Sequence, residues 1–211
     1  MFDERIQNLT EEYFKKALQS FHDYIQYDGA AYLNSCVHCG LCGEACHYFL
    51  ANGDVESMPA YKLKLVTDVF KRYFSRVGKT LQALVDAKKL NRAMIRSWID
   101  SLYGRCSLCG RCSLQCSIGI NISQMIRAAR GALAEIGLVP PVLQSTIATA
   151  VDKGKNMGFA EEDWLETVEW LEEELQQEVG EDARMPLDEK GARMLYTINP
   201  REAMFFPLSI V

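Results

Sequence analysis

The eight cysteines of this chain fall into two tight groups, CVHCGLCGEACH at residues 36–47 and RCSLCGRCSLQCS at residues 105–117. Both groups have the spacing C-x2-C-x2-C-x3-C: Cys36, Cys39, Cys42 and Cys46, then Cys106, Cys109, Cys112 and Cys116. Thiolates two residues apart let one tight loop cap three corners of a cubane [4Fe-4S] cluster, so the chemistry on offer is one-electron transfer. Gly40, Gly43 and Gly110 suit such loops, because glycine reaches backbone angles closed to other residues and lets amide N–H groups approach sulfur.

The fourth cysteine of such a run lies too far round the turn to close the same cube easily. In proteins that carry two such runs it ligates the other cluster. The expected ligands are Cys36, Cys39, Cys42 and Cys116 for cluster 1, and Cys106, Cys109, Cys112 and Cys46 for cluster 2. Together they would hold two [4Fe-4S] clusters near enough for electrons to pass between them.

Rival chemistries fit less well. Structural zinc needs only four thiolates, usually as two C-x2-C pairs, and the tripled repeat exceeds that. A disulfide framework suits small exported proteins. A c-type haem requires C-x-x-C-H, whereas three residues separate Cys42 from Cys46, the cysteine that precedes His47.

Where a proline commonly follows the fourth cysteine, this chain has His47 and Ser117. The plainer reading is that both continue the chain into a helix, where proline's missing N–H is not wanted. The sharper one makes His38 or His47 a hydrogen-bond donor that raises a cluster's potential. Arg105 and Arg111 flank the second group and could act in the same way, or could simply be solvated.

The elements that must position these groups read as helices, and the chain as mainly α. Asn8 with Glu11 makes a capping box, with Thr10 as the alternative N-cap, ahead of Tyr13, Phe14, Leu18, Phe21 and Ile25 in a helix to about Tyr27. Ser57 and Pro59 stand as N-cap and first residue before Leu63, Val66, Phe70 and Phe74. Two further runs with a break near Asn91 lead to Gly104, and put Ile95, Trp98 and Leu102 on one core-facing stripe.

After the second group, Asn121 caps a helix through Leu133, ended by Gly137 and the Pro140–Pro141 pair. Another helix reaches about Lys155. Residues 161–179 form an amphipathic helix with Trp164, Val168, Leu171, Leu175 and Val179 on one face and glutamates on the rest, either a solvated face or a dock for a basic partner. From Gly180 the helical period ends. MLYTI (194–198) reads as a short strand, and the terminal MFFPLSIV is expected to seat against a partner or a second copy of the chain.

The expected organisation is an N-terminal helix (1–29), a cluster-binding region (30–137), a helical extension (138–179) and an extended tail (180–211). The 211 residues are 48% apolar and 24% charged, ordinary values for a folded protein. A net charge of −5 disfavours nucleic-acid binding. The start, MFDERIQNLTEEYFKKAL, lacks a secretory pattern, which predicts a cytoplasmic protein. IGLVPPVLQSTIATAV (136–151) falls short of the roughly 18 apolar residues of a membrane span.

Two such motifs separated by a helical insert resemble the alpha-helical ferredoxin domain. CVHCGLCGEACHYFLANGD (36–54) with MPAYKL (58–63) is similar to heterodisulfide reductase C-like proteins, including those of the sulfur-oxidising heterodisulfide reductase-like complex. The histidine after the fourth cysteine is part of that likeness, which is strong over roughly residues 30–128; the missing proline after Cys116 departs from the commoner pattern.

The resemblance implies an electron-transfer subunit with no active site of its own, serving sulfur metabolism. It would pass electrons between an A-like flavin subunit and a B-like catalytic subunit. No cysteine follows Cys116, so the catalytic partner is expected on another chain. No G-x-G-x-x-G fingerprint supports a dinucleotide site. Two alternatives are the iron–sulfur subunit of a quinone-linked dehydrogenase, which lacks support from any C-x4-C-x2-C run, and a zinc-stabilised interaction module.

Overall fold

The computed structural model describes residues 2–75, 80, 87–154, 158, 160–199 and 202. The first helical run before Asn91 and the terminal apolar string lie outside the described residues. The chain divides into two units, Met1–Val139 and Pro140–Val211.

The first unit opens with helix α1 (Phe2–Gln7) and the long helix α2 (Glu11–Ser35). Thr10, not Asn8, is the N-cap of α2, and its side chain makes no capping bond. The helix does not stop near Tyr27 but runs to Ser35, where Asn34 and Ser35 donate to the carbonyls of Ala30 and Ala31, and so delivers the chain to Cys36. The apolar period carries it past Gly29, whose bare Cα lets α2 pack closely: a Cβ there would lie 3.1 Å from Met125.

Helix α3 (His47–Asn52) follows the first cysteine group, and α4 (Pro59–Phe74) follows a 3-10 turn at Val55–Ser57. Proline is the first residue of α4 as expected, but the N-cap is Met58, and Ser57 instead ends the preceding turn. Helix α5 (Arg92–Trp98) starts at Asn91, whose side chain accepts the Met94 amide at 2.9 Å, and passes into a π-helical stretch, Ile99–Gly104. After the short α6 (Arg111–Leu114) comes α7 (Ile122–Glu135), capped by Asn121 through the Gln124 amide at 3.1 Å.

The core lies where α2, α4, α5 and α7 meet. Phe21, Ile25, Leu63, Val66, Ile95, Trp98, Leu102, Met125 and Leu133 are all buried there. Each such side chain contributes roughly 1.5–3 kcal/mol on leaving water. Phe21 packs edge-on against Trp98 with ring centres 5.4 Å apart, and the indole N–H donates to the Leu65 carbonyl at 3.3 Å. α1 is bound into this unit by Arg92, which donates to the carbonyls of Ile6 (3.1 Å) and Leu9 (2.6 Å).

The second unit holds α8 (Pro141–Lys153) and α9 (Glu161–Val179). Val168 and Leu171 of the apolar stripe are buried, whereas Val179 is exposed. The chain then turns back along α9: Gln176 donates to the Ala183 carbonyl and Glu172 accepts the Met185 amide. MLYTI forms no strand. It is irregular, with Met194, Leu195 and Tyr196 exposed, and no strand occurs among the described residues to supply the hydrogen-bonding edge that a strand needs. No described helix is long and apolar enough to cross a membrane.

Candidate metal centre

The two cysteine groups are built on the same backbone plan. His38 (φ 55°) and Leu108 (φ 60°) occupy the same place in each repeat, as do Gly40 (φ 86°) and Gly110 (φ 78°). Left-handed angles at a non-glycine cost energy, so their matched recurrence marks a turn held for a purpose. The turn brings the amide of residue i+2 onto a sulfur: the Leu108 N–H lies 3.4 Å from Cys106 Sγ, and the His38 amide bonds Cys36. Gly43 serves differently, since its φ is not left-handed; a Cβ there would come within 3.1 Å of the Phe49 ring.

Cys36, Cys39, Cys42 and Cys116 line one cavity, with an atom-free space of about 350 Å³, in company with Val37, Leu41, Ala60, Ile118, Ile120 and Ile122. Cys46, Cys106, Cys109 and Cys112 line a second, of about 380 Å³, with His47, Tyr48, Lys62, Ser107 and Ser123. Each cavity takes three thiols from one motif and the fourth from the other. Helix placement explains the exchange. Cys46 is the N-cap of α3, with its thiol at 3.5 Å from the Ser57 carbonyl, while Cys116 follows α6 in a turn closed by Gly119 N–H on its carbonyl at 3.0 Å.

Iron–sulfur chemistry fits these sulfurs. Burial pushes the Cys112 thiol up to about 11, with the like charge of Cys106 adding to it, and burial also raises Cys36 and Cys42. Buried thiols of this kind gain from a cationic centre that takes them as thiolates. Cys109 goes the other way: the Arg111 amide, and after it the Arg111 guanidinium and the Ser107 hydroxyl, hold its thiol below the usual range.

The four side chains expected near the sulfurs divide. His38 Nδ1 lies 3.2 Å from Cys36 Sγ. His47 begins α3, a position where an amide makes no intrahelical bond and proline would fit. The plainer reading therefore gives the right element but the wrong reason. Its Nδ1 accepts from Arg111 at 3.2 Å, and its Nε2 lies 3.4 Å from Ser107 Oγ. Ser117 sits in a turn and continues into no helix.

Arg105 is turned to carboxylates. It pairs with Asp54 and, at 3.1 Å, with Glu56. The Glu56 amide and then Arg105 lower the Asp54 pKa in return. Arg105 thereby ties the start of the second motif to the segment that follows α3.

Three contributors were not legible as site residues. Lys62 is 1% exposed, donates to the Arg105 carbonyl and stands 5.7 Å from the Tyr48 ring centre; burial lowers its pKa. Its signal was a lysine on the apolar face of α4, one residue before Leu63. Arg130 of α7 donates to the carbonyls of Leu102 and Cys106 and stacks on Tyr103 at 4.8 Å. Ser113 accepts the Ser123 amide at 3.0 Å and donates to Asn121, which ties α6 to the cap of α7.

Residues 32–120 match the 4Fe-4S dicluster domain. The chain is 30% identical over 165 residues to Hdr-like menaquinol oxidoreductase iron-sulfur subunit 2 of Archaeoglobus fulgidus, a match that covers 78% of this chain and 30% of that protein. It is 30% identical over 190 residues to the Hdr-like menaquinol oxidoreductase iron-sulfur subunit of Archaeoglobus profundus, covering 89% of this chain and 34% of the relative. Over these stretches the chain is similar to heterodisulfide reductase-like iron–sulfur subunits.

One subunit of the dihydromethanophenazine:CoB–CoM heterodisulfide reductase of Methanosarcina barkeri is also similar, at 26% identity over 59% of this chain. This iron–sulfur protein spans about a third of the length of the curated relatives it matches: 30%, 34% and 29%. No solved structure matches it.

Proposed function

We propose that this iron–sulfur protein is a two-cluster electron relay, with Cys36, Cys39, Cys42 and Cys116 holding one [4Fe-4S] cluster and Cys46, Cys106, Cys109 and Cys112 the other. The observation that carries the reading is the pair of cavities, each ringed by four thiols drawn three and one from the two motifs. Bound clusters would supply one-electron redox capacity. The protein's own part is to hold each set of sulfurs around one cavity on its left-handed loop, to direct amides at them, and to exclude water from the first cavity with Ile120 and Ile122.

The relay serves a heterodisulfide reductase-like complex in the cytoplasm, passing electrons between an A-like flavin subunit and a B-like catalytic subunit that handles a sulfur substrate. That assignment of partners rests on the kinship with a heterodisulfide reductase. A second reading, the iron–sulfur subunit of a quinol-linked oxidoreductase, is favoured by the names of the two Archaeoglobus relatives, both menaquinol oxidoreductase subunits. The zinc-held module finds no support in a 4Fe-4S dicluster match.

The test is iron and acid-labile sulfide analysis of anaerobically purified protein, with EPR during a redox titration. About eight irons and eight sulfides per chain, with two interacting signals on reduction, are expected for two cubanes. Zinc without sulfide would overturn the relay. Reduction of the loaded protein by a menaquinol analogue, compared with reduction by a reduced flavoprotein, separates the two partner readings.

A further inference from the structure

The two cavities differ in what stands behind the sulfurs. Around Cys36, Cys39, Cys42 and Cys116 the wall is aliphatic apart from His38, whose Nδ1 lies beside Cys36, and the one cation acting on Cys36, Lys71, is the weakest of the influences on it. Around Cys46, Cys106, Cys109 and Cys112 the wall includes Lys62, a lysine withdrawn from solvent. A buried ammonium must be hydrogen-bonded and paired with negative charge, or the fold loses several kcal/mol. Lys62 has a carbonyl, that of Arg105, and an aromatic face, that of Tyr48. Bound to iron as thiolates, Cys46, Cys106 and Cys112 would supply negative charge to it, while Arg105 works against them.

We propose that the buried Lys62 makes the cluster held by Cys46, Cys106, Cys109 and Cys112 the more easily reduced of the two, and so fixes where an electron comes to rest. The inference rests on the two-cluster relay described above. Reduction adds one negative charge to a cluster, and a fixed positive charge in a poorly screened interior stabilises that state more than the oxidised one. Lys62 touches neither substrate nor partner; it acts by position. The arrangement gives the relay a downhill sense, from the first cavity to the second.

The experiment is an EPR-monitored redox titration of the full chain carrying both clusters. Cys109→Ser, which alters only the signal of the cluster it ligates, identifies that cluster. In the wild-type protein the marked cluster is expected to be reduced first. Lys62→Met keeps the length of the side chain and removes its charge. It should lower that midpoint by at least ~59 mV, a tenfold change in the reduced-to-oxidised ratio for one electron, while Lys62→Arg restores it and the other midpoint stays put.

An unchanged midpoint in a fully iron-loaded Lys62→Met protein would overturn the proposal. So would a wild-type titration in which the other cluster is reduced first, a result that holds even if the Lys62 variants fail to assemble. Protein lacking iron and sulfide altogether would sink the relay itself, which is a separate outcome.

Discussion

Arg130, on helix α7, donates its guanidinium to the backbone carbonyl of Cys106, the first thiol of the second motif, and at 2.8 Å to the carbonyl of Leu102. Leu102 belongs to the π-helical stretch Ile99–Gly104, where the ordinary ladder is widened and carbonyls are left for outside donors. One side chain thus holds the end of a loosened helix against the start of a cluster loop. Arg130→Ala leaves two carbonyls unpaired and should cost roughly 1–3 kcal/mol, seen as a lower denaturant midpoint together with partial iron loss from the second motif. A variant of wild-type stability and full iron content would remove Arg130 from this role.

The exchange of fourth cysteines can be tested by pairing variants. Cys36→Ala and Cys116→Ala should each remove about four irons, and the double variant no more than about four, because both strip one cubane. Cys106→Ala with Cys116→Ala should remove about eight. Uncrossed motifs would give the opposite pattern, so iron content of the two double variants decides between them.

Gly110, at φ 78°, stands where an alanine is strained by roughly 1–2 kcal/mol. Gly110→Ala should weaken cluster retention in the second motif before it affects the first. Gly43→Ala should act through space instead, by pressing on Phe49. Cluster loss measured by visible absorbance during chelator challenge distinguishes the two.

The metal-free chain should lose stability in alkali. Burial raises the Cys112 thiol to about 11 from an ordinary 9.0, so between these values the folded form holds a proton that the unfolded form has released. The stability this contributes is complete below about pH 9 and is lost as pH rises through about 11. Loaded protein, with the thiolate bound to iron, should not show this loss. Chemical denaturation of both forms from pH 8 to 11 is the check, and equal slopes would contradict it.

Much of this architecture was readable because it depends on local chemistry. The cysteine spacing states which residues can face a cubane, Asn91 and Asn121 mark helix starts by accepting the amide three residues on, and Pro59 marks one through its fixed φ. What escaped depends on contacts distant in sequence. Arg105 reads as a cluster neighbour until Asp54 and Glu56 are seen beside it, and Lys62 reads as an ordinary solvated lysine until α4 is turned inward. MLYTI has strand composition but no partner edge among the described residues, and composition alone does not hydrogen-bond.

Because each cavity borrows a sulfur from the opposite motif, filling either one would close the chain between Cys46 and Cys106 into a ring. The entropy of bringing those ends together is then already spent when the second cavity is filled. The second cavity should therefore load more readily than the first, and damage to one cluster by oxygen should hasten release of its neighbour.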